Sequence, residues 1–382
     1  MKFFMIQLIL LLAVLGISLT GCDMQPATQW SAPAGPGLEI NEQVPIPDKD
    51  KEEPSQVREI TDMAGRLVSV PNNIESVFAT DPVASIYIYT FDPDKLLGWN
   101  FELNETERSV VLPQYHSLPV FGMGSSINYE AVIAAEPTIA LVVSRINENS
   151  IERADTFEES LGIPAILLSS DLEDTPEVYR ILGELLGLEE RGEVLAAYAA
   201  RTFDEIEAIT VPEESIVRIY YGNGEDSLQT SPAGAPDAQV IEMIKAVNVA
   251  ELDLGEGSRI RISPEQLLAW NPDVIVLNGE PRANLSGVAA AQLMLSDSDF
   301  TTVQAIMDGR VYGIPGAPFG WVERPPGPNR VVGIRWLAAT VYPDYVNFNL
   351  DFEVREFFRL FYHVELRAER LAEVYGFAPL NQ

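Results

Sequence analysis

Apolar residues in this chain follow one pattern twice: a short amphipathic helix and then a continuous apolar run. Residues 129–142 and 264–277 align with each other without a gap. Each copy carries a glutamate near the helix start and a proline ahead of the apolar run: Glu130 with Pro137, and Glu265 with Pro272. A helix stopped before a proline and followed by an apolar strand is typical of a buried parallel sheet. The repeat predicts two similar α/β lobes; the alternative is two unrelated units of a common type.

A long helical pattern separates the two copies. From Thr175 to Ile209 apolar residues recur at helical spacing, with Gly187 and Gly192 as the expected breaks. A helix of about 20 residues spans about 30 Å, enough to reach from one lobe to the next. We therefore expect an interlobe helix from 189 to 209. It lies in a segment (176–210) between an N-terminal lobe (57–175) and a C-terminal lobe (211–382).

Shorter patterns predict the elements around these units. Residues 59–62 and 67–71 predict an opening hairpin, and 76–80 predict a strand. Asp81 and Pro82 are typical of a helix start, and the helix is expected to end at Tyr89. Further strands are expected at 95–99 and 216–221, with helices after Pro328.

The N terminus contains the longest apolar run. Residues 3–19 are apolar at all but three positions, follow Lys2, and lead to Cys22, the only cysteine in the chain. This is the layout of a secretory signal; the alternative is a transmembrane anchor, for which the run is short. We expect residues 1–21 to be a signal peptide. Residues 22–56, rich in proline and acidic residues, predict a flexible tether.

Composition narrows the classes of function. The chain has 57 acidic and 25 basic residues, a net charge of -32, which repels nucleic acid and anionic lipid headgroups. With two histidines and one cysteine, the sequence disfavours a bare-metal site, a disulfide framework and histidine-based catalysis. No Walker A, G-x-S-x-G or H-E-x-x-H pattern is present. We therefore predict no metal site, no cofactor and no enzymatic activity.

The motifs occur in an order that resembles a known family. They are Thr61–Pro71, Asn128-Tyr129-Glu130, Ser263-Pro264-Glu265 and Asp308–Tyr312. From about residue 58 onward the chain is similar to the substrate-binding lipoproteins of ABC importers for iron-siderophore, haem and cobalamin-type ligands, the class III periplasmic binding proteins. The resemblance implies two Rossmann-like α/β lobes with parallel sheets, joined by a single long helix. It also implies a ligand in the cleft between the lobes.

The resemblance further implies partners and a location. Leu19-Thr20-Gly21-Cys22 resembles a lipobox, which implies a lipid on Cys22 and a monomeric, extracytoplasmic protein tethered to the cell membrane. Asp23 then resembles an inner-membrane retention signal, which is informative only in a diderm. Glu130 and Glu265 match glutamates that dock into an ABC permease dimer carrying ATPase subunits. The alternative is that both acids simply favour a helix N-terminus.

Parallel α/β sheets bind ligands beyond the carboxyl ends of their strands, which selects the loops that carry the cleft candidates and also the loop 278–282. The loop 318–330 carries four of them: Phe319, Trp321, Glu323 and Arg324. Aromatic and guanidinium groups suit a planar or anionic ligand, although the aromatics also suit a structural turn that caps the core. Other loops supply Trp99, Arg145, Tyr220 and Tyr221, for which core packing or surface pairing is the alternative; either tyrosine is also a candidate iron ligand.

The sequence does not decide the identity of the ligand. A siderophore, haem or corrinoid is the leading class, because the resemblance points to metal chelates. The alternative is an oxyanion such as molybdate or tungstate, or another small ligand, held by Arg324. A surface hydrolase is the least favoured reading.

Overall fold

The computed structural model describes residues 56–253 and 259–376. The predicted signal peptide, the tether up to residue 55 and Cys22 lie outside these residues. Within the described part of the chain, every helix is too short or too polar to cross a bilayer.

The first lobe holds a small parallel sheet behind an antiparallel hairpin. Its strands and helices are β1 (Val57–Thr61), β2 (Leu67–Pro71), β3 (Val77–Ala79), α1 (Pro82–Phe91), α2 (Glu105–Arg108), α3 (Tyr129–Ala134), β4 (Ile139–Ser144), α4 (Glu148–Leu161) and β5 (Ala165–Ser169). Strands β1 and β2 form the hairpin, and β3, β4 and β5 are parallel neighbours in that order. The predicted cap is confirmed, since Asp81 Oδ1 accepts a hydrogen bond from Ala84 N at 3.0 Å.

The segment between the lobes forms two helices, α5 (Thr175–Leu186) and α6 (Glu189–Glu207). The predicted break at Gly187 is confirmed by its left-handed φ of +68°. The predicted break at Gly192 is wrong, because this glycine lies inside α6. A Cβ there would come within 2.6 Å of the Tyr179 carbonyl oxygen on α5. Gly192 therefore allows the two helices to pack closely instead of ending one of them.

The second lobe contains a larger, mixed sheet. Its elements are β6 (Arg218–Asn223), β7 (Gln229–Thr230), α7 (Gln239–Met243), β8 (Val247–Asn248), β9 (Ile260–Arg261), α8 (Pro264–Trp270), β10 (Val274–Gly279), α9 (Gly287–Ser296), α10 (Gln304–Met307), β11 (Val311–Gly313), α11 (Arg330–Val341), α12 (Leu350–Phe361) and α13 (Ala368–Val374). The strand order is β11-β10-β6-β7-β9, with β8 beside β6. Strands β11, β10, β6 and β8 are parallel.

The internal repeat is present in three dimensions as α3–β4 and α8–β10. Side chains cap both helices: Asn128 accepts from Ala131 N, and Ser263 accepts from Gln266 N. The residue before each proline is left-handed, with φ of +50° at Glu136 and +43° at Asn271. A following proline disfavours the right-handed helical conformation, so each helix ends before this residue.

Two strand boundaries differ from the prediction. Residues 95–99 form no strand; Leu96 and Trp99 make only isolated bridges, to Val77 and Val120. Strand β6 continues to Asn223 because it pairs in parallel with β10 up to Gly279. Residues 222 and 223 therefore lie in the sheet, beyond the predicted end of the strand at 221.

One continuous core joins the lobes. It contains side chains from α1 of the first lobe, from α5 and α6, and from α11 and α12 of the second lobe. Two smaller clusters pack on the other faces of the two sheets. The shared core fixes the lobes against each other, which is the architecture expected for a rigid interlobe connection.

Candidate ligand-binding cleft

A cavity of about 740 Å³ opens between the two lobes. Four segments line it: 103–108 of the first lobe, positions between 278 and 292, the loop 314–320 with Arg324, and 373–376 at the end of α13. The second and third segments follow the carboxyl ends of β10 and β11, where parallel sheets place their ligands. The volume lies within the range of small-molecule sites.

The loop after β11 makes a tight turn, which a hydrogen bond from the start of α11 stabilises. A Cβ on Gly320 would lie 2.0 Å from the Glu323 carbonyl oxygen. Asn329 Nδ2 donates to the Phe319 carbonyl oxygen at 3.0 Å, and the Trp321 indole donates to the Ala317 carbonyl oxygen at 3.0 Å. These contacts leave Phe319 on the cavity wall and turn Trp321 into the core.

Arg324 lies at the edge of the cavity in an unusual backbone conformation. Its φ is +72°, a left-handed value that few residues other than glycine adopt. Its Nη1 lies 2.7 Å from Glu280 Oε1, just beyond β10, and both side chains are 21% exposed. The pair is therefore charge-balanced at the cavity edge.

A buried polar cluster lies beneath this loop. Glu323 accepts a hydrogen bond from the Tyr221 hydroxyl at 2.6 Å and is paired with Arg259. Burial, followed by the charge of Asp237, raises the pKa of Glu323. Burial also raises the pKa of the Tyr221 phenol. The Tyr221 side chain is fully buried and its hydroxyl is engaged by Glu323.

Arg282 connects the loop after β10 to the first lobe. Its guanidinium lies 3.9 Å above the ring of Phe101 and 3.6 Å from Glu107 Oε1. Glu107 is buried and also accepts from Asn104 N at 2.7 Å. Burial raises the pKa of Glu107. This contact ties the two lobes together at the cavity wall.

A second tie lies at Arg330, the first residue of α11. Its Nη2 donates to the Ser170 carbonyl oxygen of the first lobe at 2.6 Å, and its Nη1 donates to Gln239 Oε1 at 2.8 Å. Gln239 Oε1 also accepts from Leu172 N at 3.2 Å. The lobes are therefore joined by side chains as well as by α6.

The structure brings Phe319 and Arg324 to the cavity, but not the other cleft candidates. Glu323 and Tyr221 lie beneath the wall, in the buried cluster. Trp321 is fully buried and packs on Phe358 and Tyr375.

The side chains of the remaining candidates interact with other parts of the protein, outside the cavity. The Trp99 indole donates to the Tyr115 carbonyl oxygen at 2.8 Å, and the Tyr220 hydroxyl donates to the Ser227 carbonyl oxygen at 2.8 Å. Arg145 is 47% exposed, with its Nε 3.7 Å from Asp171. Ligand contact by the predicted residues stays a prediction.

Sequence reasoning missed several cavity residues. Asn278 carried a usable signal, because it stands near the carboxyl end of a predicted buried strand. Segments 103–108 and 373–376 carried none, since only the tertiary packing brings them to the cleft. Among the described residues, no group of three or more histidine, cysteine, aspartate or glutamate side chains is arranged to hold a metal ion.

The two predicted docking glutamates are exposed and equivalent in position. Glu130 lies in the first turn of α3, and Glu265 in the first turn of α8. A hydrogen bond to its own backbone amide, then one to Ser263, lowers the pKa of Glu265. Both positions present a carboxylate to solvent.

Comparison with known proteins agrees with this architecture. The family model described as periplasmic binding protein matches residues 99–318, more than half of the chain, and the chain belongs to this family. No curated protein matches it at a significant level.

Solved structures resemble the chain over most of its length. An ABC transporter solute binding protein from Sulfurospirillum deleyianum is 25% identical, with a TM-score of 0.75, and the match covers 84% of this chain and 99% of that one. The molybdate periplasmic binding protein MolA of Haemophilus influenzae, bound to molybdate, is 21% identical (TM-score 0.61; coverage 81% and 99%). CeuE of Helicobacter pylori, in a complex with nickel and histidine, is 16% identical (TM-score 0.61; coverage 83% and 98%). The last two likenesses show the fold alone.

Proposed function

We propose that this protein is the substrate-binding component of an ABC importer and captures a metal chelate in the interlobe cleft. The observation that carries this proposal is the cavity of about 740 Å³ between two lobes, at the carboxyl ends of β10 and β11. Membership of the periplasmic binding protein family and the likeness to an ABC transporter solute binding protein support it. The protein performs no chemistry on its ligand.

The size of the cavity favours an iron-siderophore, haem or cobalamin-type ligand. Cavities of several hundred Å³ suit drug-sized molecules. The charged side chains that line it are Glu105, Glu107, Glu373, Arg108 and Arg324. This set carries more acidic than basic groups, which opposes a free anion, and Arg282 is paired with one of the acids, Glu107.

An oxyanion held by Arg324 is the second candidate. The likeness of the fold to the molybdate-binding protein MolA supports it. The ion pair of Arg324 with Glu280 opposes it, because an anion has to compete with a carboxylate already 2.7 Å from the guanidinium.

We further propose that the loaded protein docks on a permease through Glu130 and Glu265, one on each lobe. Two separated charges on a rigid body give orientation more than affinity. The tether and a lipid on Cys22 hold the protein, as a monomer, on the outer side of the cell membrane.

A thermal-shift screen tests the ligand class. The purified protein is scanned against ferric siderophores, haemin, cobalamins, molybdate and tungstate. A specific ligand at about 100 Kd adds about 2.7 kcal/mol to the free energy of unfolding and raises the Tm by a few degrees. A chelate supports the proposal and an oxyanion supports the second candidate. No response to any compound contradicts both.

An uptake assay tests the docking proposal. We expect Glu130→Ala with Glu265→Ala to abolish transport and to leave the Kd for the ligand unchanged. The matched control removes two exposed glutamates from other helices, Glu159→Ala with Glu190→Ala, and should transport normally. Equal transport by both double variants would show that the glutamates only favour their helix N-termini.

A further inference from the structure

Asn278 lines the cleft with a side-chain amide nitrogen that has no hydrogen-bond partner among the described residues. It belongs to β10, lines the cavity and is 3% exposed. Among the described residues, its Nδ2 has no hydrogen-bond partner. Buried side-chain amides are paired in the large majority of cases, and an unpaired one is costly.

Other unpartnered polar atoms lie in the same lobe. Six buried side-chain atoms have no partner within the described residues, and four besides Asn278 belong to β6, to β7 or to residues flanking β7 and β9: Asn223 Nδ2, Thr230 Oγ1, Ser231 Oγ and Arg259 Nε. Asn223 pairs with Gly279, the residue after Asn278, across the β6–β10 ladder. Every one of these atoms is able to donate a hydrogen bond. Three of them, on Asn223, Arg259 and Asn278, are nitrogens that only donate, so each of these three lacks an acceptor.

The nearby charges are already matched. Glu323 is paired with Arg259, and Glu280 is paired with Arg324. A free anion placed beside Asn278 adds a charge without a counter-ion, which is costly in a desolvated site. An uncharged oxygen acceptor adds a hydrogen bond without that cost.

We propose that Asn278 is a binding residue whose Nδ2 donates to an uncharged carbonyl oxygen of the ligand, of the amide type. The proposal rests on the proposed function and narrows it to chelates that carry neutral carbonyl groups.

Replacing Asn278 should change ligand affinity and protein stability in different ways. No hydrogen bond within the described residues uses the Asn278 amide nitrogen. Replacing an unpaired buried amide by an apolar side chain of similar shape is neutral or stabilising. Asn278→Leu should therefore keep or raise the Tm of the unliganded protein while weakening binding.

The experiment uses the purified protein with four probes: cyanocobalamin and ferrioxamine B, which carry neutral carbonyls, and haemin and molybdate, which are anionic. Calorimetric titration of the wild type should give binding of a neutral-carbonyl probe. The affinity should fall by about tenfold in Asn278→Leu, the equivalent of one hydrogen bond. It should fall further in Asn278→Asp, which replaces the donor by an acceptor. Asn73→Asp, an exposed amide outside the cavity, is the matched control and should bind as the wild type does.

Each other outcome overturns the subsite. If the wild type binds a probe and both Asn278 variants bind it equally well, the subsite is wrong and the proposed function stands. The same holds if only haemin binds, or if Asn278→Leu lowers the Tm of the unliganded protein. If only molybdate binds, the subsite is wrong and the oxyanion candidate replaces the metal chelate. If the wild type binds no probe, the proposed function falls, and the subsite falls with it.

Discussion

Arg330 provides the strongest test of how the cleft is held in shape. This side chain is 1% exposed and donates four hydrogen bonds, to the carbonyl oxygens of Ser170, Gly327 and Pro236 and to Gln239 Oε1. Burial lowers the pKa of Arg330, which shows that the charge is held against a desolvation cost. Arg330→Met removes the donors and keeps most of the side-chain volume.

The expected loss of stability follows from the acceptors left behind. A hydrogen bond from a charged donor contributes about 1.5–3 kcal/mol, and such contributions are not additive within one network. A buried acceptor left without a donor costs about 1–3 kcal/mol, so loss of the donors to these neutral oxygens leads us to predict a loss of about 3–5 kcal/mol for Arg330→Met. Urea unfolding measures this as a lower midpoint with an unchanged m-value.

The matched control is Arg261→Met. Arg261 pairs with Asp226 on the same lobe, but their side chains are 62% and 42% exposed. Such a pair contributes at most about 1 kcal/mol. A loss in Arg330→Met no larger than in this control would refute the view that buried interlobe hydrogen bonds fix the cleft.

Three further predictions address other parts of the structure. Burial lowers the pKa of His363 below its usual 6.5, so its contribution to stability is present above that pH and is lost as the pH falls through it. His363→Asn, which tolerates the left-handed φ of +60°, should lose less unfolding free energy between pH 7.5 and 5 than the wild type, by denaturant titration. Arg282→Ala and Phe101→Leu should show a coupling of about 0.5–1 kcal/mol in a double-mutant cycle, and no coupling would contradict the interlobe tie. Gly333→Ala places a Cβ 1.7 Å from the Trp321 carbonyl oxygen, so we expect a Tm lower by several degrees; an unchanged Tm would contradict this packing.

Much of the fold was predictable because its signals are local. The repeat of helix, proline and apolar strand defined α3–β4 and α8–β10, and helical spacing located α6 within two residues of its end. Gly192 misled because a glycine in a helix has two readings, a break or a close approach. Only the position of Tyr179 on the neighbouring helix decides between them.

The site was predictable in its location but not in its residues. The rule about carboxyl ends of strands selected the loops around Asn278 and Phe319 correctly. Trp321 and Tyr220 looked suitable for a ligand, but an aromatic side chain in a loop gives no sign of whether it faces the cleft or the core. That direction is set by long-range packing, such as the contacts of Trp321 with Phe358 and Tyr375.

We expect a small molecule to bind in the cavity between the lobes. The most direct test is calorimetric titration of the ligand found by the thermal-shift screen into the wild type and into Ala289→Trp, which fills the cavity from α9. Ala197→Trp, on the exposed side of α6, is the matched control. We predict one site in the wild type and in the control, and at least a hundredfold weaker binding in Ala289→Trp. Unchanged affinity in a folded Ala289→Trp variant would place the ligand elsewhere and contradict the account.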